Sequence, residues 1–404
     1  MNVVFISISP MPNMKEHSIS LDLIREFVRN GHNMYVICSN EKKSNLPTSL
    51  TKEEGCHVLR VKIGNNKKAG LIEKGLTTLM LPYQYISAVK KYLSNVKFDL
   101  VLYPTPPVTH LKTVKYIKKR DNAKTYLLLK DIFPQNAVDI EMMSKTGFKS
   151  VIYKYFRYVE KQLYKVSDRI GCMSQANVDY ILKHNPEIDA RKVEICPNSI
   201  EVVDKRISQE DRKYIRQKYD IPLDKKVFVY GGNLGKPQGI PFIVECLKKV
   251  KDIHGAYFLI VGDGTEYKVL EKYYNESKQK NFRLMKKLPK EDYDQMVAAC
   301  NVGLIFLDYR FTIPNFPSRL LGYMQAGLPV LACTDPNTDI GKVIVDGKFG
   351  WWCESDDADR FSEIILSIIK KNAILDEKSF SYLKEMYSIK KAYEIIMEQE
   401  GEEM

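Results

Sequence analysis

Residues 226–250 read KVFVYGGNLGKPQGIPFIVECLKKV. A short apolar run, a glycine-rich turn and an apolar-periodic stretch follow one another, which predicts strand, loop and helix. A loop of this kind often holds phosphate. Yet Gly231, Gly232, Gly235 and Gly239 fit neither G-x-G-x-x-G nor G-x-x-x-x-G-K-[ST]. The rest of the chain has to say what the loop holds.

The same rhythm runs in both directions. NVVFISI precedes SISLDLIREFVRNGH, where Leu21, Ile24, Phe27 and Val28 share one helical face and Gly31 marks the stop. NMYVIC, HVLRVKI, FDLVLYP, KTYLLL, RIGCM and KVEIC read as further strands, with helices between them, one near 76–94. Downstream, AYFLIVG, NFRLMKKL, NVGLIFL and LPVLACT alternate with helix patterns. Repeated strand–helix units imply parallel sheets covered by helices, and two sets of them predict two doubly wound α/β domains. The seam is expected in CPNSIEVVDKR. That gives an N-terminal domain over 1–198, a C-terminal domain over 199–384, and a terminal helix around 385–404 free to pack back on the first. The acidic end EQEGEEM reads as a solvated tail.

The length, 404 residues, suits two cores, and 44% hydrophobic with 28% charged residues excludes wholesale disorder. The eight cysteines have no C-x-x-C spacing and several sit in strand patterns, so they read as buried free thiols. Met1 leads straight into NVVFISIS without a basic n-region, so no export signal is expected. The net charge of +12 lies wholly in the first half: residues 1–200 hold 31 Lys and Arg against 18 Asp and Glu. An anionic partner is therefore expected there: membrane lipid, a phosphorylated substrate or nucleic acid. Dispersed lysines and the lack of any helix-turn-helix, zinc-finger or RNP pattern argue against nucleic acid. Gly75 to Val89 is an uncharged run of 15 residues, too short for a spanning helix; it suits a core helix or one lying at a membrane surface.

Open α/β sheets bind ligands at the carboxyl ends of their strands. The segments there are SPMPNMKEHS, YPTPP, KDIFPQN, GGNLGKPQG, VGDGTE and LDYRFTIPNFPSR, all rich in Gly, Pro, Asn or charge. In FTIPNFPSRLLGYMQAGLPVLA (311–332) Asn315 is a candidate helix cap with Pro317 in the first turn, and Ser318 and Arg319 stand where an anion would sit. A capped helix with a surface arginine is the plain alternative.

PSRLLGYMQAGLPVLA resembles the P-S-[KR]-L-x-x-Y-x-x-A-G-x-P-V segment of family 4 glycosyltransferases. NGHNMYVI, KDIFPQNAVD, CPNSIE, VYGGNLGKPQGI and VGDGTE resemble further elements of that family, so the resemblance spans nearly the whole chain. It is similar in particular to bacterial O-antigen and capsule transferases such as the N-acetylfucosamine transferases. The resemblance implies a GT-B fold, with two Rossmann-like domains facing across a cleft, and a retaining transferase that needs no metal. It implies a UDP-sugar donor, an N-acetylated hexosamine or deoxyhexosamine as the sugar, and a lipid-linked glycan acceptor. It also implies a cytoplasmic place, peripheral on the inner face of a bacterial membrane, with no stable protein partner.

The loop at 231–239 would then face the donor diphosphate. Gly232, Asn233, Lys236, Gln238, Gly262, Asn315, Ser318, Arg319 and Leu320 become donor-side residues, His17 and Ser18 acceptor-side ones. Asp131 in KDIFP becomes the catalytic candidate, a carboxylate able to take a proton or to stabilise positive charge. The plain alternative for Asp131 is a helix cap. Two departures stand out. The common G-R-x-x-x-x-K-G pattern has Asn233 and Gln238 in place of its cations, leaving Lys236 and Arg319 to balance phosphate charge. The Glu-x7-Glu pair falls on Pro314 and Gly322, so neither acidic role carries over; Asp308 and Asn315 are the nearby substitutes. The rival readings are a nucleotide-sugar 2-epimerase of the same fold and a non-catalytic glycan-binding relative.

Overall fold

The computed structural model describes residues 1–65, 71–148, 150–371 and 376–398. The chain divides into two units, Met1–Glu201 with Ile389–Met404, and Val202–Ser388. The acidic tail beyond 398 and the start of the 70–93 stretch at Gly70 lie outside the described residues.

The first unit contains β1 (Asn2–Ile6), α1 (Ile19–Arg29), β2 (Asn33–Glu41), β3 (Ser49–Glu53), β4 (Cys56–Ile63), α2 (Leu71–Tyr92), β5 (Leu100–Thr105), α3 (Leu111–Asp121), β6 (Lys124–Leu129), α4 (Gln135–Asp139), α5 (Ser150–Val166), β7 (Arg169–Cys172), α6 (Gln175–His184) and β8 (Val193–Ile195). The strands form one sheet in the order β3-β4-β2-β1-β5-β6-β7-β8. Only the β3–β4 pair is antiparallel. The central strands are apolar on both faces because helices cover both: Val3, Val4, Phe5 and Ile6 are all buried. Strand order reverses beside β1, so the crevice at the carboxyl ends of β1 and β5 is where a ligand is expected.

The second unit contains α7 (Gln209–Lys218), β9 (Lys226–Asn233), α8 (Ile240–Lys249), β10 (Ala256–Asp263), α9 (Tyr267–Ser277), β11 (Phe282–Met285), α10 (Lys290–Ala298), β12 (Val302–Phe306), α11 (Arg319–Gln325), β13 (Val330–Thr334), α12 (Ile340–Asp346), β14 (Gly350–Glu354), α13 (Ala358–Lys371) and α14 (Asp376–Met386). Its sheet, β11-β10-β9-β12-β13-β14, is parallel throughout. The core sets Phe228, Tyr230, Phe258 and Ile260 of the sheet against Ile243 and Leu247 of α8 and Phe361 and Ile365 of α13. Here the order reverses between β9 and β12, which brings the glycine-rich loop and the proline-rich loop to the same crevice.

The last helix, α15 (Ile389–Met397), returns to the first unit. Ile389, Ala392 and Ile396 join its core, and Tyr393 meets Phe27 edge-on at 5.0 Å. All eight cysteines are buried and unbridged. No helix among the described residues is long and apolar enough to cross a membrane.

Candidate functional site

In the second unit the strand β9 ends in the turn Gly231–Gly239. Gly232 has φ 129°, which favours glycine there. Gly262 is buried beside it: a Cβ at 262 would stand 2.0 Å from the Gly232 carbonyl oxygen. Gly262 thus lets β9 and β10 approach closely, and this packing alone requires glycine there. Gln238 is also buried, and its Oε1 accepts from Asn233 Nδ2 at 3.0 Å and from Gly235 N at 3.1 Å. Its carboxamide oxygen is spent on holding the turn. Lys236 points outward and forms no ion pair among the described residues.

Arg319, at the start of α11, brings a second cation to this turn. Its Nη2 lies 3.6 Å from where a Gly232 side chain would begin. The guanidinium stacks on Tyr230, 4.2 Å from the ring centroid. Tyr230 is itself fixed, its hydroxyl donating to Asn233 O at 2.7 Å. Arg319 makes no ion pair among the described residues, and its Nη1 is buried without a hydrogen-bond partner. A charged, oriented and unsatisfied donor beside a glycine turn is an anion site in waiting.

The loop after β12 supplies the opposite wall. Asp308 N donates to Pro237 O at 3.0 Å, tying the two loops together. Asp308 is buried and its carboxylate grips Arg310 at 2.9 Å through both oxygens, so it does not serve as a free acid facing a sugar. The helix expected to start at Asn315 starts at Arg319 instead. Asn315 is held by a tertiary contact and a local one, its N–H donating to Thr338 Oγ1 at 3.0 Å and its Nδ2 to Ile313 O at 3.4 Å. Ser318 precedes the helix without capping it by its side chain. Leu320 is wholly buried and its N–H donates to Pro317 O at 3.2 Å, so it belongs to the core rather than to a ligand. Gly322 faces solvent with open space where a side chain would begin.

Sequence reasoning missed the residue that holds this wall. Asp335, just past β13, accepts from Asn337 N at 2.9 Å and from Thr338 N and Oγ1 at 3.0 Å. Thr338 in turn takes the Asn315 N–H. Burial pushes the Asp335 carboxyl up to about 6 against these hydrogen bonds. The stretch DPNTD carries the Asx-turn signal that reveals it.

In the first unit Asp131 lies just beyond β6. Its Oδ1 accepts from Ile132 N at 2.8 Å and its Oδ2 from Asn136 Nδ2 at 2.5 Å. The N-cap of α4 is Pro134, so Asp131 does not cap that helix. Burial pushes its carboxyl up to about 6, opposed by those two hydrogen bonds. Lys130 beside it is brought down by burial to about 8, and forms no ion pair among the described residues.

Ser18 is the N-cap of α1, accepting from Leu21 N at 3.2 Å, so capping takes the oxygen assigned to an acceptor. His17 Nδ1 lies 3.2 Å from Asp22 Oδ1 and 3.6 Å from Glu201 Oε2. These three could together hold a cation. Arg25 already pairs with Asp22, and Arg29 with Glu201 at 2.6 Å, so positive charge is supplied by the protein.

Residues 211–386 match the model of the family described as glycosyl transferases group 1. The chain is similar to WbjE of Pseudomonas aeruginosa, named a probable glycosyltransferase, with 26% identity over 75% of this chain and 74% of that one. It is similar to WcaI of Escherichia coli K12, named for colanic acid biosynthesis glycosyl transfer, with 22% identity over 61% and 60%. Among solved structures it superposes on Anabaena HepE in complex with UDP, with a TM-score of 0.70, 16% identity and both chains fully covered. The fold is the two-sheet GT-B fold of glycosyltransferases.

Proposed function

We propose that this glycosyltransferase, whose residues 211–386 form a group 1 domain, moves a sugar from UDP to a lipid-linked glycan precursor in bacterial surface polysaccharide synthesis. The sugar is an N-acetylated hexosamine or deoxyhexosamine, and the enzyme works at the inner membrane face as a peripheral protein. Support for the pathway comes from the likeness to WcaI, named for colanic acid biosynthesis, and for UDP from the likeness to HepE.

The observation that carries the reading is Arg319, an oriented guanidinium without a counter-ion beside the turn at 231–239. A diphosphate would satisfy its buried Nη1 and accept from the backbone where Gly232 leaves room. Lys236 adds a second cation. Asp131 takes the proton from the acceptor hydroxyl as that oxygen bonds to the anomeric carbon and the bond to the diphosphate breaks. Attack on the face the diphosphate leaves retains configuration, and no metal takes part. Ser318 and Asn315 remain candidates for contacts to the sugar.

The test supplies the full chain with UDP-N-acetylhexosamines carrying a labelled sugar, together with a lipid extract of bacterial membranes. Label should enter the organic phase with wild type and fail to do so with Asp131→Asn. Label that stays in the aqueous phase with every UDP-sugar, while a GDP-sugar is consumed, would keep the reaction class and overturn the donor.

A further inference from the structure

A cavity of about 240 Å³ opens in the first unit at the carboxyl ends of β1, β5 and β6. Ile8 follows β1, Pro106, Pro107 and Val108 follow β5, and Phe133 follows β6. Leu81 of α2 and Phe156 of α5 complete the apolar wall. The cavity thus lies at the point where strand order reverses, and Phe133 is two positions beyond Asp131. Its lining is mainly hydrocarbon and ring, with threonines from α2 (Thr77 and Thr78) and from the segment after β5 (Thr109). An apolar cavity of roughly 150 Å³ holds benzene, so this one has room for roughly one to two five-carbon units.

What surrounds the cavity matters as much. α3 packs between α2 and α5. On α2, Leu79, Met80 and Tyr83 are exposed; on α5, Val151, Ile152, Tyr155 and Tyr158 are exposed at one-face helical spacing. Phe148, just before α5, is 96% exposed. Lys112 of α3 reaches Tyr83, its Nζ donating to the hydroxyl at 2.7 Å. Exposed lysines stand around this apolar surface at 90, 91, 112, 115, 119, 145, 154 and 165. The carboxylates of the described parts of these three helices are Asp121 and Glu160; both are buried, bound to Arg120 and Arg157. Among the described side chains of these three helices the face therefore carries apolar groups and positive charge without an exposed carboxylate, Glu141 of the loop before α5 being exposed outside them, and such a face suits an anionic lipid surface.

We propose that the cavity receives the head-proximal hydrocarbon of an isoprenoid acceptor, and that the α2–α3–α5 face seats this unit on anionic lipid. The inference rests on the lipid-linked acceptor of the proposed function and adds where its lipid is held. A chain entering past Leu81 of α2 and Phe156 of α5 carries its phosphate head toward the strand ends, where Asp131 and Lys130 stand. The lipid surface holds the exposed apolar residues, and the cavity selects the acceptor from the lipids around it.

Farnesyl diphosphate and inorganic diphosphate are titrated into the full chain, and UDP is titrated into the same preparations. Wild type should bind farnesyl diphosphate more tightly than inorganic diphosphate. Thr78→Trp, which fills the cavity from its edge, should weaken farnesyl diphosphate about tenfold or more and leave UDP binding unchanged. Ile152→Asp should keep farnesyl diphosphate binding but lose co-sedimentation with phosphatidylcholine vesicles containing phosphatidylglycerol. Equal affinity for the two diphosphates, or indifference to Thr78→Trp, overturns the cavity assignment while UDP binding keeps the transferase reading. A farnesyl preference without UDP binding supports the cavity and removes the donor reading instead. Vesicle binding that survives Ile152→Asp overturns the membrane face.

Discussion

In the proposed function Arg319 and Asp131 carry most of the chemistry, and each makes its own prediction. Arg319 stacks on Tyr230 and keeps an unsatisfied Nη1 beside Gly232. Charge-assisted hydrogen bonds from guanidinium to phosphate are the strong kind. Arg319→Ala should weaken UDP by roughly tenfold to a hundredfold, read by calorimetry. Arg319→Lys should recover little of this, because an ammonium lacks both the planar stack and the two-pronged contact. Asp131 must be ionised to accept a proton, and burial sets its carboxyl at about 6. The rate of transfer should therefore fall as pH drops through about 6, and Asp131→Asn should cost about 10²–10⁴-fold in kcat without that acid limb. An Asn variant that keeps wild-type kcat would remove Asp131 from the chemistry. Asp335 makes a stability prediction of opposite use. Its native carboxyl, at about 6, lies above the ordinary 3.8, so the folded state holds the proton more tightly. That contribution is complete below about 3.8 and is lost as pH rises through about 6. Denaturant unfolding should show a shallower decline over this range in Asp335→Asn than in wild type.

At the scale of elements, the strand–turn–helix at 226–250 was legible because its signals are local. An apolar run buried on both faces, glycine at positive φ, and Pro241 in the first helical turn all agree. The start of α11 was not legible. Asn315 and Pro317 look like a cap and first turn, but the Asn315 N–H is claimed by Thr338, more than twenty residues on. A tertiary contact overrode the local signal, and Ser318, not Asn315, came to precede the helix. Gln238 in the turn, Gly262 at the end of β10 and Leu320 in the first turn of α11 share one lesson: their polar atoms or space serve the turn and the core. Ser18 repeats it, since a serine before an apolar helix satisfies an N–H first. Ser18→Ala should lower unfolding free energy by about 1 kcal/mol and leave UDP affinity unchanged. Gly262→Ala should do far worse, since its Cβ meets backbone rather than a movable side chain. Soluble Gly262→Ala protein with wild-type melting behaviour would show that β9 and β10 approach less closely.

Across the whole molecule, charge and chemistry divide between the two units. Residues 1–200 carry 31 basic against 18 acidic residues and include the lysine-ringed apolar face. The second unit holds the residues that match the group 1 glycosyl transferase model and the paired loops around Arg319. The proposed function places lipid and acceptor at the first sheet and nucleotide at the second, in line with this division. Vesicle binding should accordingly weaken with rising salt, as screening shortens the reach of exposed lysines. The central claim is that the turn at 231–239 and Arg319 hold the diphosphate of a UDP-sugar. Titration of UDP into the full chain, wild type beside Arg319→Ala, tests it most directly. The account predicts saturable binding of UDP over GDP and ADP, lost or sharply weakened in the variant. UDP binding of equal strength in both proteins, or none in either, would contradict it.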